Sequence, residues 1–214
     1  GKIEDRTRAG HDSMSAGNAP STGQVARIAL LLVLAMSAFA ANSVFCRLAL
    51  AKTTIDPATF TVIRLGAGAV VLAMLAYATG ERGAGGSWSG ALALLAYAVC
   101  FSFAYVFLTT ATGALLLFGA VQATMILSGL LSGERLRPLQ WGGLGVAIAG
   151  LLVLLAPGAS APSPLGAVLM IVAGVAWGGY SLLGRGGGSP LLTTAGNFVR
   201  AAPLSLAALL LVPL

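Results

Sequence analysis

Charge is scarce in this chain. Of its 214 residues 8% are Asp, Glu, Lys or Arg, and 57% are hydrophobic. A water-soluble domain carries roughly 25% charged residues. The shortfall leaves too little polar surface to coat a globule in water, so lipid is the better solvent for most of the chain. Acid is scarcer still. Glu4, Asp5, Asp12, Asp56, Glu81 and Glu134 are the full set, and none falls inside a long apolar run. That excludes a membrane-embedded carboxylate as proton carrier in this part of the protein. The single histidine, His11, lies in a polar tail. With no HExxH and no base or metal set within the apolar runs, neither an enzyme nor a cofactor is expected. The two lysines, Lys2 and Lys52, lie outside the last apolar run, which rules out a retinal Schiff base there. Cys46 and Cys100 sit in apolar segments with no disulfide or metal spacing, and read as small buried hydrophobes.

What remains is long apolar runs. A membrane span needs about 20 apolar residues to cross roughly 30 Å of hydrocarbon. Seven stretches qualify: 28–48, 58–78, 88–108, 111–131, 139–156, 165–184 and 191–212. The fold class is therefore an all-α polytopic membrane protein. Residues 1–25 are polar and read as a disordered tail. Within it, Met14 is the expected start, and residues 1–13 read as non-native. The first run has Arg27 before it and small residues near Ala40, as a signal peptide does, but its apolar character continues through Phe45 and six runs follow. An uncleaved span is the better reading.

Basic residues set the sidedness. Arg27, Arg82, Arg135, Arg137 and Arg185 fall on the amino-terminal side, with Lys2, Arg6 and Arg8. The opposite side has Lys52, and Arg47 near a span end. The amino terminus is expected in the cytoplasm, in a cell (inner) membrane. The net charge of +6 thus reports orientation and does not point to nucleic acid.

A weak internal echo organises the runs. Ala38–Arg47, a turn with Pro57, and Ala58–Gly68 are echoed by Ala176–Arg185, a turn with Pro190, and Thr194–Pro203. Arg47 answers Arg185, and Arg64 answers Arg200. Five spans separate the copies, and an odd number inverts the topology. Inverted repeats about an axis in the membrane plane are a transporter architecture. The expected organisation is a first five-helix repeat over 26–156, a linker over 157–164, and the first two helices of a second repeat over 165–214. A complete five-plus-five protein would need three further spans, so the sequence reads as truncated.

The run Gly133-Glu134-Arg135, followed by Gln140-Trp141-Gly142-Gly143 and the small-residue stretch to Gly150, resembles the end of the first repeat in the EamA-type drug/metabolite transporters. The Asn42-Ser43 and Phe60–Arg64 segments resemble that family's first two spans. Ala176-Trp177 and Tyr180-Ser181 resemble the opening of its second repeat. The resemblance implies ten spans, cytoplasmic termini and movement of small metabolites or drugs, often outward. Its mid-span Gln122, where an apolar residue or proline is expected, departs from the pattern.

The candidate substrate-binding residues are Asn42, Arg64, Gln122, Tyr180, Asn197 and Arg200. Asp56 suits a helix N-cap and Pro57 a first helical position. That places Arg64 about 10 Å along its helix, and Arg200 roughly 15 Å along its own. An arginine at such depth costs about 2.5–3.5 kcal/mol on insertion scales. It can serve as a cavity cation, or it can bond loop carbonyls and pin two helices. Each amide can contact a solute or glue helices together. Trp177 and Tyr180 share a helical face. On span five, Gly143 with Ala147 and Gly145 with Ala149 read as a close-packing face. The partners expected are a small-molecule substrate and the bilayer. The oligomeric state is open, a homodimer included. The competing function is a membrane scaffold or receptor that moves no solute.

Overall fold

The structure is a computed structural model describing residues 21–155, 162–186 and 188–211. The tail to residue 20, most of the linker and the last three residues lie outside that range. Among the described residues all regular structure is helical: α1 (Thr22–Lys52), α2 (Pro57–Ala78), α3 (Trp88–Phe107), α4 (Thr110–Leu131), α5 (Pro138–Leu155), α6 (Pro164–Leu183) and α7 (Pro190–Leu211). The chain divides into two compact units, residues 1–41 and 42–214, with the boundary inside α1. In the first unit, Thr22–Ala40 is an exposed, mostly apolar helical stretch. The second unit holds the packed helices.

Helices form at all seven expected places, but five of them are long and apolar enough to cross a membrane: α1, α2, α3, α4 and α6. The other two, α5 and α7, do not count among these within the described residues. In α7, Thr193, Thr194, Asn197, Arg200 and Ser205 dilute the run. Those polar groups are not wasted on lipid. Asn197 and Ser205 are buried, as is Ala201 between them, and α7 packs on α2 and α3. A helix whose polar side chains are satisfied inside the protein can sit in lipid with a low overall hydropathy.

Local chemistry fixes the starts of the helices. The Asp56 carboxylate accepts from the Ala58 and Thr59 amides at 2.9 and 2.8 Å, with Pro57 in the first position. Hydrogen bonds from Thr59 and then Ala58 hold this carboxyl below its usual range, against a smaller opposing effect of burial. Ser87, Thr109 and Ser163 cap α3, α4 and α6 through their hydroxyls. Asp56→Ala should lower stability by about 0.5–2 kcal/mol at neutral pH. Because the folded carboxyl titrates lower than the unfolded one, the ionised cap contributes fully above the unfolded value. Its contribution fades as pH falls through the folded value. Thermal melts of wild type and Asp56→Ala across acid pH should therefore converge at the low end.

The packing is close and antiparallel where it matters. Helix α6 lies against α3 and α4. A Cβ on Gly166 would meet Phe107 and Leu108 at the end of α3; one on Gly174 would meet Ala120, and one on Gly178 would meet Thr124. So α6 runs opposite to α3 and alongside α4. Phe101, Tyr105, Leu116 and Met170 fill the buried core at this junction, with Cys46 from α1. The glycines that permit approach are thus on α6. Those expected to do so on α5, Gly143 and Gly145, face open space, and among the described residues α5 packs on α4 alone. Arg47 closes the bundle core at the C-terminal end of α3. Its Nη1 donates to the Tyr105 and Val106 carbonyls at 2.7 and 3.3 Å, satisfying the last turn of α3.

At the other end the Ser189 hydroxyl donates to the Glu81 carboxylate, which brings the α2–α3 and α6–α7 loops to one side. Arg82 and Arg185 are exposed in those loops. With Cys46 and Cys100 replaced by alanine, Arg82→Cys and Arg185→Cys should both react with an impermeant maleimide added from the same face of intact cells or inverted vesicles. Labelling from opposite faces would break the antiparallel arrangement described above.

Candidate functional site

Four helices bring one polar and aromatic cluster together. On α2, Thr61, Arg64 and Leu65 share the face toward α3. On α3 the residues four apart are Tyr97 and Phe101. On α6 the residues three apart are Trp177 and Tyr180. From α1 come Asn42 and Cys46, again four apart. The Arg64 guanidinium carbon lies 5.3 Å from the Tyr97 ring centre and 4.9 Å from that of Phe101. Its Nη2 donates to the Ala98 carbonyl over a long 3.3 Å. Its Nη1 is buried and has no hydrogen-bond partner. The rings continue outward from there. Tyr97 and Trp177 lie 4.7 Å apart, and Trp177 stacks on Tyr180 at 5.3 Å. The Asn42 amide stands beside the Tyr97 phenol, and Cys46 stands near Arg64. Phe101 is fully buried, whereas Asn42, Arg64, Tyr97, Trp177 and Tyr180 are half-buried.

The cluster is held from below by a polar seam between α2 and α3. The Thr61 hydroxyl lies 2.8 Å from that of Ser102, and Ser102 donates to the Ala98 carbonyl at 2.8 Å. Ala98 is the residue whose carbonyl also takes Arg64. Thr61 and Ser102 are both buried, so the seam positions the guanidinium through a shared acceptor. The three acids among the described residues, Asp56, Glu81 and Glu134, all lie outside the helices. No group of metal ligands occurs among the described residues.

Asn197 and Arg200 belong to a different arrangement. The α2–α3 loop folds along the first three turns of α7. The Ser87 amide donates to Asn197 Oδ1 at 2.8 Å. Arg200 Nη1 donates to the Gly85 carbonyl at 2.8 Å and to Gly196 at 2.9 Å, with the guanidinium 5.9 Å from the Trp88 ring. Arg200 and Glu81 also line an open recess of about 560 Å³ beside Tyr77 and Val199. Both already have partners, Arg200 two carbonyls and Glu81 the Ser189 hydroxyl. Gln122 is exposed on α4 and takes no part in either arrangement. Of the six sequence candidates, then, Asn42, Arg64 and Tyr180 come together. Tyr97 and Phe101 join them without having been singled out. Their four-residue spacing on an aromatic-poor chain was the available signal.

Buried polar side chains on several apolar helices, with a guanidinium among aromatic rings, define a polytopic helical membrane protein with an intramembrane polar site. The sequence profile of the EamA-like transporter family, within the drug/metabolite transporter superfamily, matches residues 26–156, and the chain belongs to that family. It is 57% identical over 190 residues to a Pseudomonas aeruginosa protein named "Uncharacterized protein PA1977", covering 86% of this chain and 64% of that one. It is 30% identical over 165 residues to an "Uncharacterized transporter" of Archaeoglobus fulgidus, covering 72% of this chain and 56% of the relative. The chain therefore spans less than two thirds of the length of these relatives. No solved structure matches it.

Proposed function

We infer that the intact protein is a secondary transporter of small metabolites or drug-like solutes, working outward across the cytoplasmic membrane with its amino terminus inside. The observation carrying this reading is the Arg64 guanidinium. It sits within a membrane-spanning helix, faces no helix-borne acid among the described residues, and keeps one buried nitrogen without a partner. A buried unpaired donor on a charged group is costly, of order 1–3 kcal/mol or more. Such a cost persists where the group has a task beyond folding, and a solute is the natural partner.

Alternating access between inverted repeats is supported by direction and pairing. The C-terminal end of α1, through Arg47, and the N-terminal end of α6, through Gly166, lie at the same end of α3. Equivalent spans of the two repeats thus run oppositely. Rocking one repeat against the other would expose the seam containing Arg64 to each side in turn. The family's members being transporters, an enzymatic role has no support in the residues or the kinship.

The test is counterflow by the full-length gene product in proteoliposomes. A pool of labelled small acids, amines and neutral solutes is offered outside vesicles loaded with the same solutes unlabelled. Saturable accumulation of at least one is expected. A folded, correctly inserted protein that moves none of them is the scaffold or receptor reading instead.

A further inference from the structure

We propose that the Arg64 cluster selects solutes bearing a single carboxylate on a flat apolar body, a deepening that rests on the carrier reading above. The charge comes first. Arginine is positive at every accessible pH, and no acid on α1–α7 neutralises it among the described residues. A cationic solute is repelled, and a neutral acceptor gains an ion–dipole bond but not the attraction of an ion pair. The available donors come next. Nη1 is unpartnered, and Nη2 takes the long 3.3 Å bond to Ala98, with the Tyr97 phenol the other polar group beside the guanidinium. One edge of the guanidinium can therefore turn to a carboxylate, which accepts two parallel N–H bonds.

The count of cations limits the ligand to one negative charge. The other arginines nearest the bundle interior are committed: Arg47 to the Tyr105 and Val106 carbonyls, Arg200 to those of Gly85 and Gly196. A dianion would bury its second charge without a partner. The body of the ligand is set by the rings. Tyr97, Trp177 and Tyr180 present half-buried aromatic surface that runs on from the guanidinium in ring-to-ring steps of 4.7 and 5.3 Å. A planar apolar group attached to the carboxylate can lie against that surface, as aromatic pairs at such distances do. Asn42 stands beside Tyr97 and can read one hydrogen-bonding substituent on the same body.

The experiment uses the full-length protein in detergent, with benzoate, its neutral isostere benzamide and the dianion terephthalate as probes. Thermal unfolding is followed against the concentration of each. Benzoate should raise the melting temperature with a half-saturating concentration about tenfold or more below that of the other two, the worth of one charge-assisted pair. Arg64→Gln should bring benzoate to the level of benzamide. Equal responses to benzoate and benzamide in the wild type would overturn the proposal without any variant being needed. A benzoate response that survives in Arg64→Gln would overturn it too. Counterflow then separates the two readings. Benzoate binding without movement upholds the ligand class and sinks the carrier. Saturable flux of other solutes, with no preference for benzoate, does the reverse.

Discussion

Gly196→Leu should leave almost no folded protein in a detergent extract, while Gly186→Leu extracts as the wild type does. The difference lies in what a new side chain meets. A Cβ on Gly196 falls against the carbonyl of Gly85, with the Gly85 carbonyl carbon 2.6 Å away and Arg200 Nη1 2.9 Å away. The relation is mutual, because a Cβ on Gly85 would strike the backbone of Leu192 and lie 2.7 Å from the Thr193 nitrogen. Two backbones touch here, and neither can swing aside as a side chain could. Overpacking of this kind costs typically 1–3 kcal/mol, more where backbone must shift. Separating the loop from α7 also breaks the Arg200–Gly85 and Ser87–Asn197 bonds, with the charged one alone contributing about 1.5–3 kcal/mol. The total is a large part of the ~5–15 kcal/mol that holds a typical domain together. A Cβ on Gly186 would meet nothing within 4 Å among the described residues, so the same substitution there costs little. Fluorescence-detected size exclusion of tagged variants reads the outcome. A monodisperse Gly196→Leu peak of wild-type height would mean the loop does not rest on α7.

That contact also shows where the sequence stops being legible. The apolar runs announce their helices directly, since only a helix satisfies its own backbone in lipid. Asp56 and Pro57 mark the start of α2 by chemistry local to four residues. Arg64 and Arg200 stand out together, because an arginine inside an apolar run is rare and repeats once. What distinguishes them is not local. Arg200 is engaged because Gly85, 115 residues earlier in the chain, folds back onto α7. The glycine-rich loop hints at a tight path but does not name its destination. The same limit misplaces the packing glycines. Small residues recur on both α5 and α6 at suitable spacing, and only the neighbours decide that Gly166, Gly174 and Gly178 are covered while Gly143 and Gly145 are open. Tyr97 and Phe101 pass unnoticed for a related reason. In an apolar helix two rings four residues apart read as packing until a cation is set above them.

Arg64→Leu and Arg200→Leu should fail in opposite ways. At Arg64, two ring contacts and one long bond to Ala98 favour the native arginine by about 0.5–2 kcal/mol for each cation–π pair at most. Against them stands the buried unpartnered Nη1, whose desolvation costs about 1–3 kcal/mol. The terms nearly cancel, so leucine at this position should change stability by no more than about 1 kcal/mol. At Arg200 nothing offsets the loss. Both donated bonds are short, at 2.8 and 2.9 Å, and the Gly85 carbonyl is left without this donor. A cost of about 2–4 kcal/mol is expected, seen as a melting temperature several degrees lower. Flux should follow the other order. On the carrier reading, removing the charge that meets the solute costs one charge-assisted bond, about 1.5–3 kcal/mol, or roughly ten- to hundredfold in counterflow rate at low substrate. Arg200→Leu protein that survives purification should transport at close to the wild-type rate per folded molecule, since the Arg200 guanidinium is committed to the Gly85 and Gly196 carbonyls and the Trp88 ring. Measuring melting and counterflow on both variants places each arginine independently. Arg200 and Arg64 would then be seen to divide their labour, one fixing the fold and the other, on the carrier reading, held ready at little net cost for the solute.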